Sequence, residues 1–161
     1  MSPILSPTGR FEPRDPNFAT RIADSFARQT FMGTLGATLA RVEPGFCEIH
    51  MPWRADLCQQ HGYVHAGVTT TLADNACGYA AYSLMPADSS VLTVEFKTNF
   101  LAPGEGSVLR ARAVVEKPGR SLTVTRAEVV GLVDGREKTI ALMQATMMCM
   151  AGRPDSATPA G

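Results

Sequence analysis

The sequence predicts an α+β domain in which an antiparallel sheet of about six strands wraps around one long central helix. Three observations lead there. Inside the core only one stretch, Gly67 to about Leu84, runs helix-length without a proline, and it carries small residues at Ala73, Ala76, Ala80 and Ala81. Two segments before it and four after it alternate apolar and polar residues, the period of a strand with one buried face. Short turn sequences, Glu43-Pro44-Gly45, Lys117-Pro118-Gly119-Arg120 and Asp134-Gly135, join neighbouring strands tightly enough for hairpins.

Taken in order, residues 1–16 carry Pro3, Pro7, Pro13 and Pro16 among charges and read as a flexible arm, while residues 151–161 read as a flexible tail. A single domain over 17–150 lies between them. Phe18 to Phe31 places Phe18, Ile22 and Phe26 at helical spacing, with Arg21, Asp24 and Arg28 elsewhere on the wheel, so a short amphipathic helix is expected. Thr34 to Val42 and Phe46 to Pro52 then form a strand pair. The Ala-rich helix from Gly67 follows, with a surface thin enough for other backbone to approach closely. After Pro86, Ser90 to Phe100 forms a strand that ends at Pro103-Gly104. Ser107 to Glu116, Leu122 to Leu132 and Lys138 to Met150 complete the sheet. One face of such a sheet is buried on the helix and the other stays partly apolar, so self-association to at least a dimer is expected.

Composition narrows the function classes. With 161 residues, 45% of them hydrophobic, the chain supports one core. Fifteen Lys plus Arg balance fifteen Asp plus Glu, so no general field draws it to nucleic acid or to an anionic membrane. An anionic ligand must be caught by a local cluster. The N-terminus lacks the charged start and apolar run of a signal peptide and no stretch reaches spanning length, which predicts a soluble cytoplasmic protein. Cys47, Cys58, Cys77 and Cys149 have neither zinc-site spacing nor the density of a disulfide scaffold, and read as reduced thiols. His50, His61 and His65 do not complete a metal motif with Cys58, so neither metal nor cofactor is expected.

The run Gln59-Gln60-His61-Gly62-Tyr63-Val64-His65-Ala66-Gly67-Val68-Thr69-Thr70-Thr71-Leu72-Ala73-Asp74-Asn75-Ala76-Cys77-Gly78 carries the chemistry. It resembles the signature of hotdog-fold thioesterases of the phenylacetate-pathway (PaaI-like) type, in which a His-Gly-Gly turn enters the central helix and an Asp follows in Leu-Ala-Asp. The likeness extends to Leu92-Thr93-Val94-Glu95-Phe96-Lys97-Thr98-Asn99-Phe100-Leu101-Ala102-Pro103-Gly104 and, more weakly, over about Leu35 to Met150. Ala66 stands where the family often has its first Gly, and Gln59 where many members have Asn. The resemblance implies a hotdog fold and hydrolysis of acyl-CoA thioesters, with sites shared between subunits of a homodimer or dimer of dimers. Thr93 matches a Ser or Thr position of some relatives that orients water, and Gln59 and His65 are candidates for positioning the carbonyl or the turn.

The physics of the segment agrees. Thioester hydrolysis needs donors for a developing oxyanion and a carboxylate acting as base or nucleophile. The amides of Ala66 and Gly67 sit at a helix N-terminus, where N–H groups are free and the dipole is positive. Asp74 comes seven residues after Gly67, two turns along the same face and therefore about 10 Å away along the axis. One chain's Asp74 cannot serve its own turn, whereas an antiparallel pairing of two helices brings each carboxylate to the other's amides. For the coenzyme's phosphates Lys117 and Arg120 flank a turn, with Lys97 and Arg153 as further candidates. Tyr63, Val68, Tyr79 and Leu84 are candidates for the acyl pocket. The competing reading is a non-catalytic acyl-CoA-binding module or oligomeric scaffold. A hotdog hydratase is disfavoured because no Asp-x-Asn-Pro-x-His run is present.

Overall fold

The computed structural model describes residue 4 and residues 9–155. In chain order the elements are α1 (Phe18–Arg28), α2 (Thr30–Leu35), β1 (Thr38–Glu43), β2 (Phe46–Pro52), a single 3₁₀ turn (Ala55–Leu57), α3 (Ala66–Tyr82), β3 (Ser89–Phe100), β4 (Val108–Lys117), β5 (Leu122–Val133) and β6 (Arg136–Ala151). The six strands form one sheet in the order β1-β2-β4-β5-β6-β3, with every neighbouring pair antiparallel. This is the α+β wrap that the periodicity predicts. Among the described residues no helix is long and apolar enough to cross a membrane.

α3 lies in the concave face of the sheet because its residues there are small. Leu72, Ala76, Ala80 and Ala81 are fully buried, and across from them the sheet offers Ala111, Ala113, Ala127 and Ala145, also fully buried. Alanine on both surfaces lets the helix sit close, and larger side chains at the rim, such as Met51 and Met147, close the gaps. Ala76→Leu is therefore expected to cost about 1–3 kcal/mol of stability by overpacking. Urea unfolding checks this, and an unchanged midpoint would show slack between helix and sheet.

The N-terminal helices differ from the expected outline. Gln29, with φ −74° and ψ 97°, leaves helical geometry and splits the predicted Phe18–Phe31 helix into α1 and α2. The predicted strand start at Thr34 is likewise corrected: the chain stays helical to Leu35, buries Met32 and Leu35 at helical spacing, and stops at Gly36 in the left-handed region. Thr34 to Val42 alternates as a strand does, but a two-residue period cannot register a helix stop that depends on glycine's positive φ.

α1 is fastened to the end of α3. Ile22 is fully buried, while the Arg21 guanidinium pairs with the buried Asp15 at 2.8 Å, donates to the Met85 carbonyl at 3.0 Å and lies 4.0 Å from the Tyr82 ring centroid. A cation on carbonyls at a helix C-terminus also suits the dipole. Of the expected arm and tail, residues 1–3, 5–8 and 156–161 lie outside the described residues. Within them Phe11 packs against the core. The four cysteines are free thiols, Cys47 and Cys77 buried.

Candidate active site

The turn into α3 is built by backbone pairing before it and by a side chain across it. Val64 N–H donates to the Gly104 carbonyl at 2.7 Å, and His65 N–H donates to the Leu57 carbonyl at 2.9 Å. A Cβ at Gly104 would come within 2.9 Å of the Val64 carbonyl oxygen, so the Pro103-Gly104 segment after β3 is what allows this approach. Gln59 stays inside its own loop: its N–H donates to the Tyr63 carbonyl at 2.8 Å, and its side-chain oxygen accepts from His61 N–H.

His65 is the N-cap of α3, and its Nδ1 accepts from Gly67 N–H at 2.9 Å. An Nδ1 that accepts carries no proton of its own. Val68 and Thr69 N–H both turn back to the His65 carbonyl. Of the two amides expected to meet an oxyanion, that of Gly67 is thus engaged by His65, while that of Ala66, an exposed residue, has no acceptor among the described residues. Sequence reading could not separate the two, because which amide a cap residue takes depends on its rotamer.

Asp74 is half-buried in the middle of α3 and accepts a hydrogen bond from the Thr93 hydroxyl at 2.8 Å. Burial pushes its carboxyl above the usual carboxylate range, and the Thr93 hydrogen bond pulls it part of the way back. A β-bulge helps place Thr93. Thr93 pairs with Met147 and Phe96 with Ala145, so the extra residue at Val94 keeps both Thr93 and Phe96 on the helix side of the sheet. Cys77, the nearest sulfur on α3, is fully buried; burial pushes its thiol up to about 12, which removes it as a nucleophile.

Asp74 and Thr93 open into a cavity of about 540 Å³ between α1, α3 and β3. Tyr79 lines it, as expected of an acyl-pocket residue, but Tyr63, Val68 and Leu84 do not. Tyr63 is exposed on the loop before α3, and Val68 packs against the core. Lys117 and Arg120 are exposed at the β4–β5 hairpin, whose Pro118 and Gly119 lie beside Leu84 and Met85 beyond the C-terminal end of α3. The structure therefore brings Asp74, Thr93 and Tyr79 together at one place and Gln59, His65, Ala66 and Gly67 at another. Ser25 and Gln29 also line the cavity and were not singled out from sequence, and Asn75 and Gly78, which end the helix run that carries the resemblance, line it as well. Gly78 stands four residues after Asp74 on the same helix side, and Asn75 directly follows it. Among the described residues no cluster of three or more His, Cys, Asp or Glu side chains is arranged to hold a metal ion.

Known proteins share this architecture. The sequence pattern of the thioesterase superfamily matches residues 61–136, which contain the turn, Asp74 and Thr93. A thioesterase family protein from Silicibacter pomeroyi superposes with a TM-score of 0.83 at 52% identity, covering 84% of this chain and 99% of that one. The 1,4-dihydroxy-2-naphthoyl-CoA hydrolase of Listeria monocytogenes is 26% identical over 71% of this chain and 90% of its own. The acyl-coenzyme A thioesterase PaaI of Escherichia coli is 32% identical over 68% of this chain and 75% of its own. Similarity that runs through the helix turn, the central helix and the wrapping strands alike leaves one assignment: this chain belongs to the thioesterase superfamily, as a PaaI-like hotdog thioesterase.

Proposed function

We propose that this protein hydrolyses acyl-CoA thioesters to the free acid and coenzyme A, at sites shared between two subunits. The observation that carries the reading is a half-buried carboxylate, Asp74, oriented by Thr93 beside a cavity large enough for an acyl group. The names of two of the curated relatives, both CoA-thioester hydrolases, support the substrate class. In the proposed reaction the thioester carbonyl oxygen accepts from Ala66 N–H at the start of α3, with Gly67 N–H shared between that oxygen and His65. The partner subunit's Asp74 either takes a proton from an attacking water or attacks the carbonyl carbon itself. Collapse of the tetrahedral intermediate expels the coenzyme A thiolate, and in the second route water then hydrolyses the mixed anhydride left on Asp74 to release the free acid.

Self-association is supported by β3, an edge strand that pairs only with β6. Phe96 and Phe100 lie opposite the buried Ala145 and Ala141, hence on the helix side of the sheet, yet they are 43% and 50% exposed. Their own α3 leaves them uncovered, and a second copy whose α3 runs antiparallel covers them while presenting its amide turn to Asp74. His65 holds the turn. Lys117 and Arg120 remain the candidates for the coenzyme's phosphates, met at the hairpin away from the acyl cavity.

Release of free thiol from a panel of acyl-CoAs tests the reaction, and binding without release would return the protein to an acyl-CoA-binding module. The pH profile tests the assignment of Asp74. It acts as the anion, so kcat/KM falls on the acid side with a midpoint above the ordinary Asp value of about 3.9. The Thr93 hydrogen bond favours the anion, so Thr93→Val moves that midpoint further up, while Thr93→Ser leaves it close to wild type. An acid limb indifferent to Thr93→Val would remove Asp74 as the titrating group.

A further inference from the structure

We propose that residues 152–155, held by Arg28, close the outer end of the cavity beside Asp74, and that this closure limits the length of acyl chain the protein hydrolyses efficiently. The limit rests on the acyl-CoA reading above and adds a specificity-determining pair, Arg28 and Asp155, to it.

The path of the chain is the first support. β6 ends against the start of β3, with Met150 opposite Ser90 and Ala151 opposite Ser89. Gly152 then takes φ 68°, in the left-handed region, and Arg153 N–H returns to the Met150 carbonyl at 3.2 Å, so the chain leaves the sheet in a tight turn. It crosses to the last turn of α1, where Arg28 Nη2 lies 2.9 Å from the Asp155 carboxylate and donates to the Asp155 carbonyl at 3.1 Å. The strand on one side of the cavity and the helix on the other are thereby joined.

The place of the crossing is the second. Arg28 and Asp155 both line the cavity, as do Ser90 and Thr93 of β3. Thr93 holds Asp74, and Ser90 lies three residues earlier on the strand, about 10 Å away. The crossing therefore stands at the end remote from the catalytic carboxylate. A hexanoyl chain whose thioester is at Asp74 stops short of that distance, whereas a dodecanoyl chain passes it. Asp155 also faces the aromatic wall: burial is the main cause that raises the Tyr79 and Tyr82 phenols, and the Asp155 charge raises both further. A hydrocarbon that arrives there must strip water from an ion pair or push the segment aside.

The strength of the closure is the third. The Arg28 and Asp155 side chains keep 38% and 33% of their exposure, and among the described residues theirs is the one side-chain bond that fastens residues 152–155 to the rest of the chain. An exposed pair holds weakly and is screened by salt, so the closure discriminates by a few fold and yields to force of binding.

The test compares kcat/KM of the full chain for hexanoyl-CoA and dodecanoyl-CoA. Wild type is expected to favour hexanoyl-CoA. Arg28→Gln and Asp155→Asn should each raise dodecanoyl-CoA relative to hexanoyl-CoA by about two- to fivefold, the range an exposed ion pair supplies. The exchanged pair, Arg28→Asp with Asp155→Arg, should return the ratio to that of wild type. Raising salt from about 0.05 to about 0.5 M should relax wild type in the same direction and leave Asp155→Asn unmoved. A ratio that neither single substitution changes, or a wild type that favours the longer chain, overturns the closure. Relaxation in both single variants without recovery in the exchanged pair overturns the clamp and leaves only a local change of polarity. Hydrolysis of other acyl-CoAs in the panel above but of neither alkyl chain overturns the length limit, whereas hydrolysis of none overturns the thioesterase reading itself.

Discussion

Asp74→Asn is expected to lower acyl-CoA turnover by about two orders of magnitude or more, with fold and oligomer intact and no loss of stability at neutral pH. The amide keeps the size of the carboxylate and can still accept the 2.8 Å hydrogen bond from Thr93, but it neither takes a proton nor attacks a thioester. Its effect on stability has the opposite sign from that of a paired surface acid. Burial raises the folded-state value of Asp74 above its unfolded one, so the group favours folding below the unfolded value and that contribution is lost as pH rises through the folded value. At neutral pH the charged form of Asp74 is half-buried with no cation partner among the described residues, and the amide removes that burden. Thermal melts should therefore place the variant level with or above wild type at neutral pH, and its advantage should vanish below about pH 3.9. Full turnover in a correctly assembled variant would move catalysis to another group. A lower melting temperature at neutral pH would instead make Asp74 a structural acid.

Mixing two inactive variants is expected to restore activity, up to about one quarter of wild-type sites under random pairing of independent sites. The structure identifies a suitable partner for Asp74→Ala. Ala66 is the first residue of α3, its N–H has no acceptor among the described residues, and the preceding His65 has φ −59° and ψ 139°, a conformation that a following proline favours. Ala66→Pro thus deletes the proposed oxyanion donor while sparing the helix start. Gly67→Pro would also break the His65 cap and restrict Ala66. In a mixed dimer one site combines an intact Asp74 with an intact turn, and the other carries both defects. The argument is geometric: about 10 Å of helix rise separates Gly67 from Asp74, whereas one thioester must meet both at roughly 3 Å. Verified heterodimers that stay inactive while both variants fold, or a monomer at full rate, would exclude a shared site.

Sequence by itself determined the wrap and the position of the carboxylate. Alternation with period two and a proline-free, alanine-rich segment are properties of neighbouring residues, and they are enough to set six strands, one buried helix and an Asp two turns into it. Tertiary structure alone decided the rest. Which amide at the turn is free depends on the His65 rotamer, which consumes Gly67 N–H and leaves Ala66 N–H. The side of β3 that faces α3 depends on a bulge at Val94, which no local pattern announces. Helix α1 reaches the cavity because Ile22 is buried in the core and Arg21 ties the helix to the end of α3, placing Ser25 and Gln29 beside a tyrosine fifty or more residues away in the chain. Local periodicity reports which face a residue presents, whereas a site is made of groups joined across the sequence by packing and by competition for hydrogen-bond partners, and that information exists only in the folded chain.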